Sequence, residues 1–220
     1  AGADLILTYF APRLVDGGKN RSEERRGTSI EIITRWTKSD VKQVNQALRR
    51  GDDDFDALPW GPVDNRADLR GIRLCGHFKK VRWRNLDLSF CNGDDAFIHV
   101  RMSDCLLKRA SLGAYCGDVL ERCDLSGATL KELSGTFSDC DFTRAVARFV
   151  NGHAMAEFLR CDFSEVHFIQ CCFPGCRFED CVWSNARFRC TDFTDAVFNR
   201  THPSPKSLND TNDLDGVLLE

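Results

Sequence analysis

Phe158-Leu159-Arg160-Cys161-Asp162-Phe163-Ser164-Glu165-Val166-His167-Phe168 opens a stretch in which every fifth residue is aromatic. The series runs Phe158, Phe163, Phe168, Phe173, Phe178, Trp183, Phe188, Phe193, Phe198. Aromatic residues are 10% of the chain. Nine in fixed register by chance has odds on the order of one in a billion, so the period is a true internal repeat. Two residues before each aromatic stands a smaller side chain: Ala156, Cys161, Val166, Cys171, Cys176, Cys181, Ala186, Thr191 and Ala196. The positions between are mostly polar, as in Ser164-Glu165 and Glu179-Asp180.

A period of five fits neither an α-helix nor a continuous strand, whose apolar residues recur at three and four or at two. It fits a unit made of one short extended edge followed by a turn. Residues i−2 and i then share a face, because side chains alternate across an extended segment. Four edges close a square coil of 20 residues, and coils stack at roughly 4.8 Å. The large and small columns both face inward and interdigitate, and no single coil could bury its face alone.

Earlier segments carry the same unit with Leu at the centre: Ala67-Asp68-Leu69-Arg70-Gly71, Gly76-His77-Phe78, Val81-Arg82-Trp83, Leu86-Asp87-Leu88, Val100-Arg101-Met102, Cys105-Leu106-Leu107 and Ala110-Ser111-Leu112. Cys123-Asp124-Leu125-Ser126-Gly127, Ala128-Thr129-Leu130, Gly135-Thr136-Phe137 and Cys140-Asp141-Phe142 continue it. Residues 67–198 form the repeat region. The register slips near 89–97, 113–120, 131–137 and 143–156, where bulges or protruding loops are expected. The longest slip opens on Thr143-Arg144-Ala145-Val146-Ala147-Arg148-Phe149. Two arginines beside apolar residues suit an interface core, so Arg144, Arg148 and Phe149 are the candidate interaction loop.

These units resemble the pentapeptide-repeat family, whose consensus is A-(D/N)-L-x-x; Phe for Leu and Cys for Ala are the departures. The resemblance implies a mainly β fold, a right-handed four-sided β-helix, and no catalytic residue or cofactor. Some bacterial members protect DNA gyrase and topoisomerase IV by mimicking duplex DNA, which makes a topoisomerase an alternative partner.

Outside the repeat, Thr37 can N-cap a helix over 38–50, with Asp40 completing a capping box, Trp36 and Val41 as a hydrophobic staple and Gly51 as the stop. Strands are plausible over 5–10 and 29–36. Residues 1–66 read as a small α/β cap over the first coil, which would otherwise expose apolar side chains, or as a separate binding domain. Residues 199–220 are a tail ending in Val217-Leu218-Leu219, suited to covering the last coil or pairing with a second copy of the chain.

The totals narrow the function. Thirty Lys and Arg against 33 Asp and Glu give a net charge of −3, without the basic excess of a direct nucleic-acid binder. Residues 67–198 hold 17 basic and 18 acidic residues, so an acidic DNA mimic is not evident either. No apolar run is long enough to span a membrane. Seven of twelve cysteines, Cys105, Cys123, Cys140, Cys161, Cys171, Cys176 and Cys181, fall at the inward small position, where cysteine packs as a small hydrophobe. No CxxC pair offers a zinc site, and reduced thiols point to the cytoplasm. Asp52-Asp53-Asp54-Phe55-Asp56 lacks the glycine and closing Glu of a calcium loop. No HExxH, GxSxG or phosphate-binding glycine loop occurs. The expectation is a non-enzymatic, cytoplasmic protein-interaction scaffold, with a topoisomerase-protecting DNA mimic as the alternative.

Overall fold

The computed structural model describes residues 35–51, 55, 62–148, 156–204, 206–208 and 212–219. The strands expected over 5–10 and 29–36, apart from Arg35 and Trp36, lie outside these residues, as does Phe149.

Side chains two apart on each short edge point inward, and the resulting parallel rungs stack into a β-solenoid of about seven turns with one helix near its start. Parallel pairing of successive rungs requires crossovers, which are right-handed. Four walls can be followed by their central residues. Wall 1 carries Leu69, Leu88, Leu107, Leu125, Phe142, Phe163 and Trp183. Wall 2 runs from Leu74 through Gly93, Leu112, Leu130, Ala147 and Phe168 to Phe188. Wall 3 holds Phe78, Ile98 and Leu133 below, and Phe173 and Phe193 above. Wall 4 stacks Trp83, Met102, Leu120, Phe137, Phe158, Phe178 and Phe198.

All nine repeat aromatics from Phe158 to Phe198 are buried. Each ring lies flat on the ring one rung away and edge-on or tilted to its neighbours on adjacent walls. Phe158 and Phe178 are 5.0 Å apart at 5°, Phe178 and Phe198 4.9 Å at 12°, while Phe158 meets Phe163 at 74°. Both geometries suit the ring quadrupole and add about 0.5–1.5 kcal/mol per pair beyond burial.

Turns close each edge. Residues two after the wall centre adopt left-handed backbone: Arg160, Glu165, Gln170, Gly175, Asp180, Asn185, Cys190, Asp195 and Arg200 all have φ between 51° and 65°. On walls 1 and 3 a backbone bond such as Val166 N–H to Phe163 C=O (3.1 Å) completes the turn. The Asp of the repeat secures it from the side. Asp162 accepts from the Ser164 N–H (2.8 Å), and Asp87, Asp124, Asp141 and Asp192 accept likewise from the residue two ahead.

Of the two forms expected at the slips near 89–97, 113–120 and 131–137, the structure takes the bulge and not the protruding loop. They lie within or against the strands Asn92–Ser103, Ser111–Glu121 and Leu133–Ser138, and the two long strands carry register shifts. A corner there is flattened into a bulged strand, and backbone crowding shows at Gly113, where an added Cβ would overlap the Asp94 carbonyl. Nor does the register fail at 143: Ala145 and Ala147 are buried and Val146–Arg148 pairs on both sides, so the departure begins after Arg148. Ala147 occupies a centre that Leu or Phe fills in most other units.

The helix Lys38–Arg50 has the expected capping box, Thr37 with Asp40, and Gly51 ends it at φ 76°. It packs on the first coil. Trp83 Nε1 donates to the Leu48 carbonyl (3.0 Å), and Trp36 Nε1 to that of Arg70 (2.8 Å). Buried Asn45 donates to the Arg73 carbonyl and accepts from the Cys75 N–H, both at 2.8 Å. At the other end Leu218–Leu219 pairs in parallel on Val197 and Phe198, leaving Leu218 and Leu219 themselves largely exposed.

Candidate functional site

Because aromatic, aliphatic and thiol columns fill the interior, the chemistry available to a partner lies on the outer walls and corners. Cysteine illustrates the filled interior. Cys105, Cys123, Cys140, Cys161 and Cys181 succeed one another in a single column beside wall 1. Consecutive five-residue units do point at different walls, but the next coil returns a cysteine to the same one. The thiols of Cys105, Cys140, Cys161 and Cys181 donate to the rung below, Cys161 to the Phe137 carbonyl (3.5 Å) and Cys181 to that of Phe158 (3.4 Å). Neighbour thiols and burial hold Cys105 and Cys140 above the usual thiol range, and burial raises buried Cys91 to about 12. All eleven cysteines whose side chains are described are free thiols, and no metal-binding cluster occurs among the described residues.

The corner after wall 4 carries a charge pattern that sequence reading passed over. Asp104, Arg122, Asp139, Arg160, Asp180 and Arg200 follow one another up the solenoid, alternating in sign, each in left-handed backbone. Arg122 grips Asp104 through two bonds (2.8 and 2.9 Å), Arg160 grips Asp139 (2.7 and 2.8 Å), and Arg200 grips Asp180 (2.8 and 2.6 Å). These bonds hold the three carboxyls below the ordinary Asp range. Spacings of 17 to 21 residues hide the column from any scan of adjacent positions.

The neighbouring face of wall 4 is arranged differently at its base. The strand Gly76–Arg84 carries Lys79, Lys80, Arg82 and Arg84, all exposed, and no acidic residue. Arg82 lies directly beside Arg101 of the next rung, like charge on like charge. Arg82, Arg84 and Arg101 line a groove of about 260 Å³ with Met102, Ser103, Val119 and Glu121. Among the described residues no hydrogen bond or ion pair engages Arg82, and Arg84 feels Asp104 without pairing to it. The Lys79-Lys80-x-Arg82-x-Arg84 run was the available signal, masked by the balanced totals.

Arg144 stands in the corner after wall 1, φ 59°, and forms two bonds to Glu165 (2.9 and 3.2 Å). Arg148 projects from wall 2 at the end of its strand. The two therefore stand on adjacent faces, both ahead of the departure. A second groove, about 770 Å³, lies at the C-terminal end between Val182, Trp183, Phe198, Arg200, His202 and Leu219.

A family model described as pentapeptide repeats matches residues 161–200 with eight copies. No curated protein matches the chain. Among solved structures, a trypsin-treated form of QnrB1, a plasmid-mediated fluoroquinolone resistance protein, is 16% identical with a TM-score of 0.33, over 70% of this chain and 80% of that one. Full-length QnrB1 is 15% identical with a TM-score of 0.26, over 70% and 79%.

Proposed function

We propose that this pentapeptide-repeat protein is a non-enzymatic scaffold that displays recognition residues to another protein. The packing supports the reading: stacked rings and thiols occupy the coil interior from Leu69 to Phe198, so what distinguishes one rung from another is outward-facing. Residues 1–66 serve as the cap, on the evidence of the helix seated against the first coil, and 199–220 as the closing tail. Arg144 and Arg148 are assigned to the partner surface, and the exposed Leu214, Leu218 and Leu219 to contact with a second copy through the C-terminal end. Free thiols throughout the described residues suit a cytoplasmic protein. The scaffold needs no cofactor, membrane or direct nucleic-acid contact.

One observation favours a second reading, protection of DNA gyrase or topoisomerase IV by DNA mimicry. Asp68, Asp87, Asp124, Asp141 and Asp162 stack along wall 1, interrupted by Leu106. Yet each carboxylate is spent on a backbone N–H two residues ahead, and Arg70 and Lys108 neutralise two of them. The scaffold reading therefore ranks first. The test is affinity for a partner captured from the source cells, then purified, alongside a gyrase supercoiling assay. Loss of affinity in Arg144→Ala/Arg148→Ala, with shallow salt dependence, is the expected result. Indifference to that change, a steep salt slope and protected gyrase would hand the function to DNA mimicry.

A further inference from the structure

We propose that the outer face of wall 2, from Arg148 up to Arg189, receives a short acidic segment of a protein partner, with Arg187 and Arg189 gripping its carboxylates beside the apolar Ile169. The inference rests on the scaffold reading and names the chemistry of the face to which Arg148 belongs.

Three observations converge. The first is charge. Three successive rungs turn Val146 and Arg148, His167 and Ile169, and Arg187 and Arg189 outward, with the buried Ala147, Phe168 and Phe188 between them. The three arginines are exposed, and no acidic residue holds an outward position on these rungs. Glu165, the acid at the adjoining corner, is held by Arg144 through two bonds and reaches Arg187 only through space. Residues 149–155, which follow Arg148, include no Asp or Glu. The second observation is a contrast with wall 4. There the equivalent positions carry Arg177 and Glu179, which bond to each other (3.4 Å). Opposite charges thus fit two apart on one rung, yet wall 2 sets Arg187 and Arg189 in those places. Each planar guanidinium fork matches a carboxylate with two bonds. The third is layout. Half-buried Ile169 lies directly between Arg148 and Arg189 in one column, and Arg187 stands roughly 6.6 Å from Arg189 along their strand. An apolar contact bordered by cations suits a segment with an aliphatic residue among its carboxylates. Below these rungs Lys131 of the same wall is already paired with Asp94 (2.7 Å), so the basic track lasts three rungs. A nucleic-acid backbone engages many phosphates along a continuous stripe, and single strands also stack on exposed rings; this face stops too soon and presents no Phe, Tyr or Trp.

The probe is a dye-labelled peptide, Gly-Glu-Glu-Leu-Glu-Glu-Gly, titrated into the whole chain and followed by anisotropy. Its Gln-for-Glu analogue and a dT12 oligonucleotide are the comparison probes. The Glu peptide should bind and the Gln analogue should not. Arg187→Gln/Arg189→Gln should weaken binding by roughly tenfold or more, as expected for lost charge pairs. Arg177→Gln, on wall 4 and paired with Glu179, should leave it unchanged. The double change touches exposed side chains, so its melting temperature should stay within about 2 °C of the parent. Arg187→Lys/Arg189→Lys keeps the charge and should bind more tightly than the Gln variant, which separates lost charge from lost fold. Equal binding of both peptides, preference for dT12, insensitivity to the Gln change, or equal loss in the Lys and Gln variants overturns the proposal. A further arm, Asp210→Asn, removes the acid that follows Leu208, a residue packed on the core. Binding seen only in that variant would mean the chain's own acid occupies the face, and would also overturn it. Failure of the peptide leaves the scaffold reading to its separate test, Arg144→Ala/Arg148→Ala with a purified partner.

Discussion

The upper coils, from Ala156 to Phe198, and the lower ones, from Ala67 to Arg148, are built from the same unit with different arithmetic. Wall 4 advances by 20 residues from Phe158 to Phe178 and again to Phe198. Below, it advances by 19 from Trp83 to Met102, 18 to Leu120 and 17 to Phe137. The centres differ in parallel. Upper coils place an aromatic ring on all four walls, whereas lower coils mix Leu, Met, Ile and Gly with at most two described aromatic centres each. Four rings fill the interior of a full square. Smaller centres in a coil of the same perimeter would leave voids, which a packed interior does not tolerate. The chain instead drops one to three residues and pulls a corner straight, producing the long bulged strands Asn92–Ser103 and Ser111–Glu121. Coil length follows side-chain volume.

The largest effects should come from violating that match in each region. Phe178→Ala removes a ring stacked on both Phe158 and Phe198 and should cost about 3–5 kcal/mol by denaturant unfolding. In the lower region the informative change runs the other way. Leu125→Phe places an upper-type centre between Leu107 and Phe142 in shortened coils and should overpack, losing about 1–3 kcal/mol. A stabilised Leu125→Phe would break the link between perimeter and ring size.

The same contrast explains what the sequence could reveal. The five-residue register from Phe158 to Phe198 was legible because an aromatic at each centre is rare elsewhere, and the capped helix because Thr37, Asp40 and Gly51 carry local signals. Units with Gly93 or Ala147 at the centre were not, since their inward residue is small by virtue of what stacks against it. Ile72-Arg73-Leu74 and Ala96-Phe97-Ile98 were passed over beside irregular spacing, though Ile72, Leu74, Ala96 and Ile98 are all buried. The groove and the corner column depend on which residues lie one coil apart, and coil lengths of 17 to 21 cannot be fixed before the bulges are known. Arg144 and Arg148 could be picked out as arginines shortly before the register is lost, but not that Arg144 is tied to Glu165.

A medium effect separates the base of the solenoid from its upper part. Burial alone would raise the Asp68 carboxyl, but bonds from Arg70 and Arg35 outweigh it and bring it down to about 2. A depressed carboxyl contributes stability that is complete above its unfolded pKa and lost as pH falls through the folded value. The window therefore runs from about pH 4, where an unfolded Asp titrates, to about pH 2. Melting temperatures of the parent and Asp68→Asn should differ most above pH 4 and converge toward pH 2. A constant difference across that range would show that Asp68 acts through shape, not charge.

The smallest effect tests whether the corner after wall 4 is a column or a set of pairs. Each Arg grips the Asp one rung below, and Coulomb attraction also reaches the next carboxylate up: Asp139 acts on Arg122, and Asp180 on Arg160. Exchanging the partners, Asp139→Arg with Arg160→Asp, preserves the pair but breaks the alternation. Arg122 then faces an arginine and Asp180 an aspartate. If pairs act in isolation, the exchanged protein should melt with the parent. If the column acts as a unit, it should melt below the parent by about a degree or two, as exposed charges in high dielectric allow. The deficit should vanish near 1 M salt, where screening acts within about 3 Å. A deficit that persists in high salt would instead assign the cost to the left-handed backbone at 139 and 160, which a new side chain must share with its predecessor's φ of 53° and 52°.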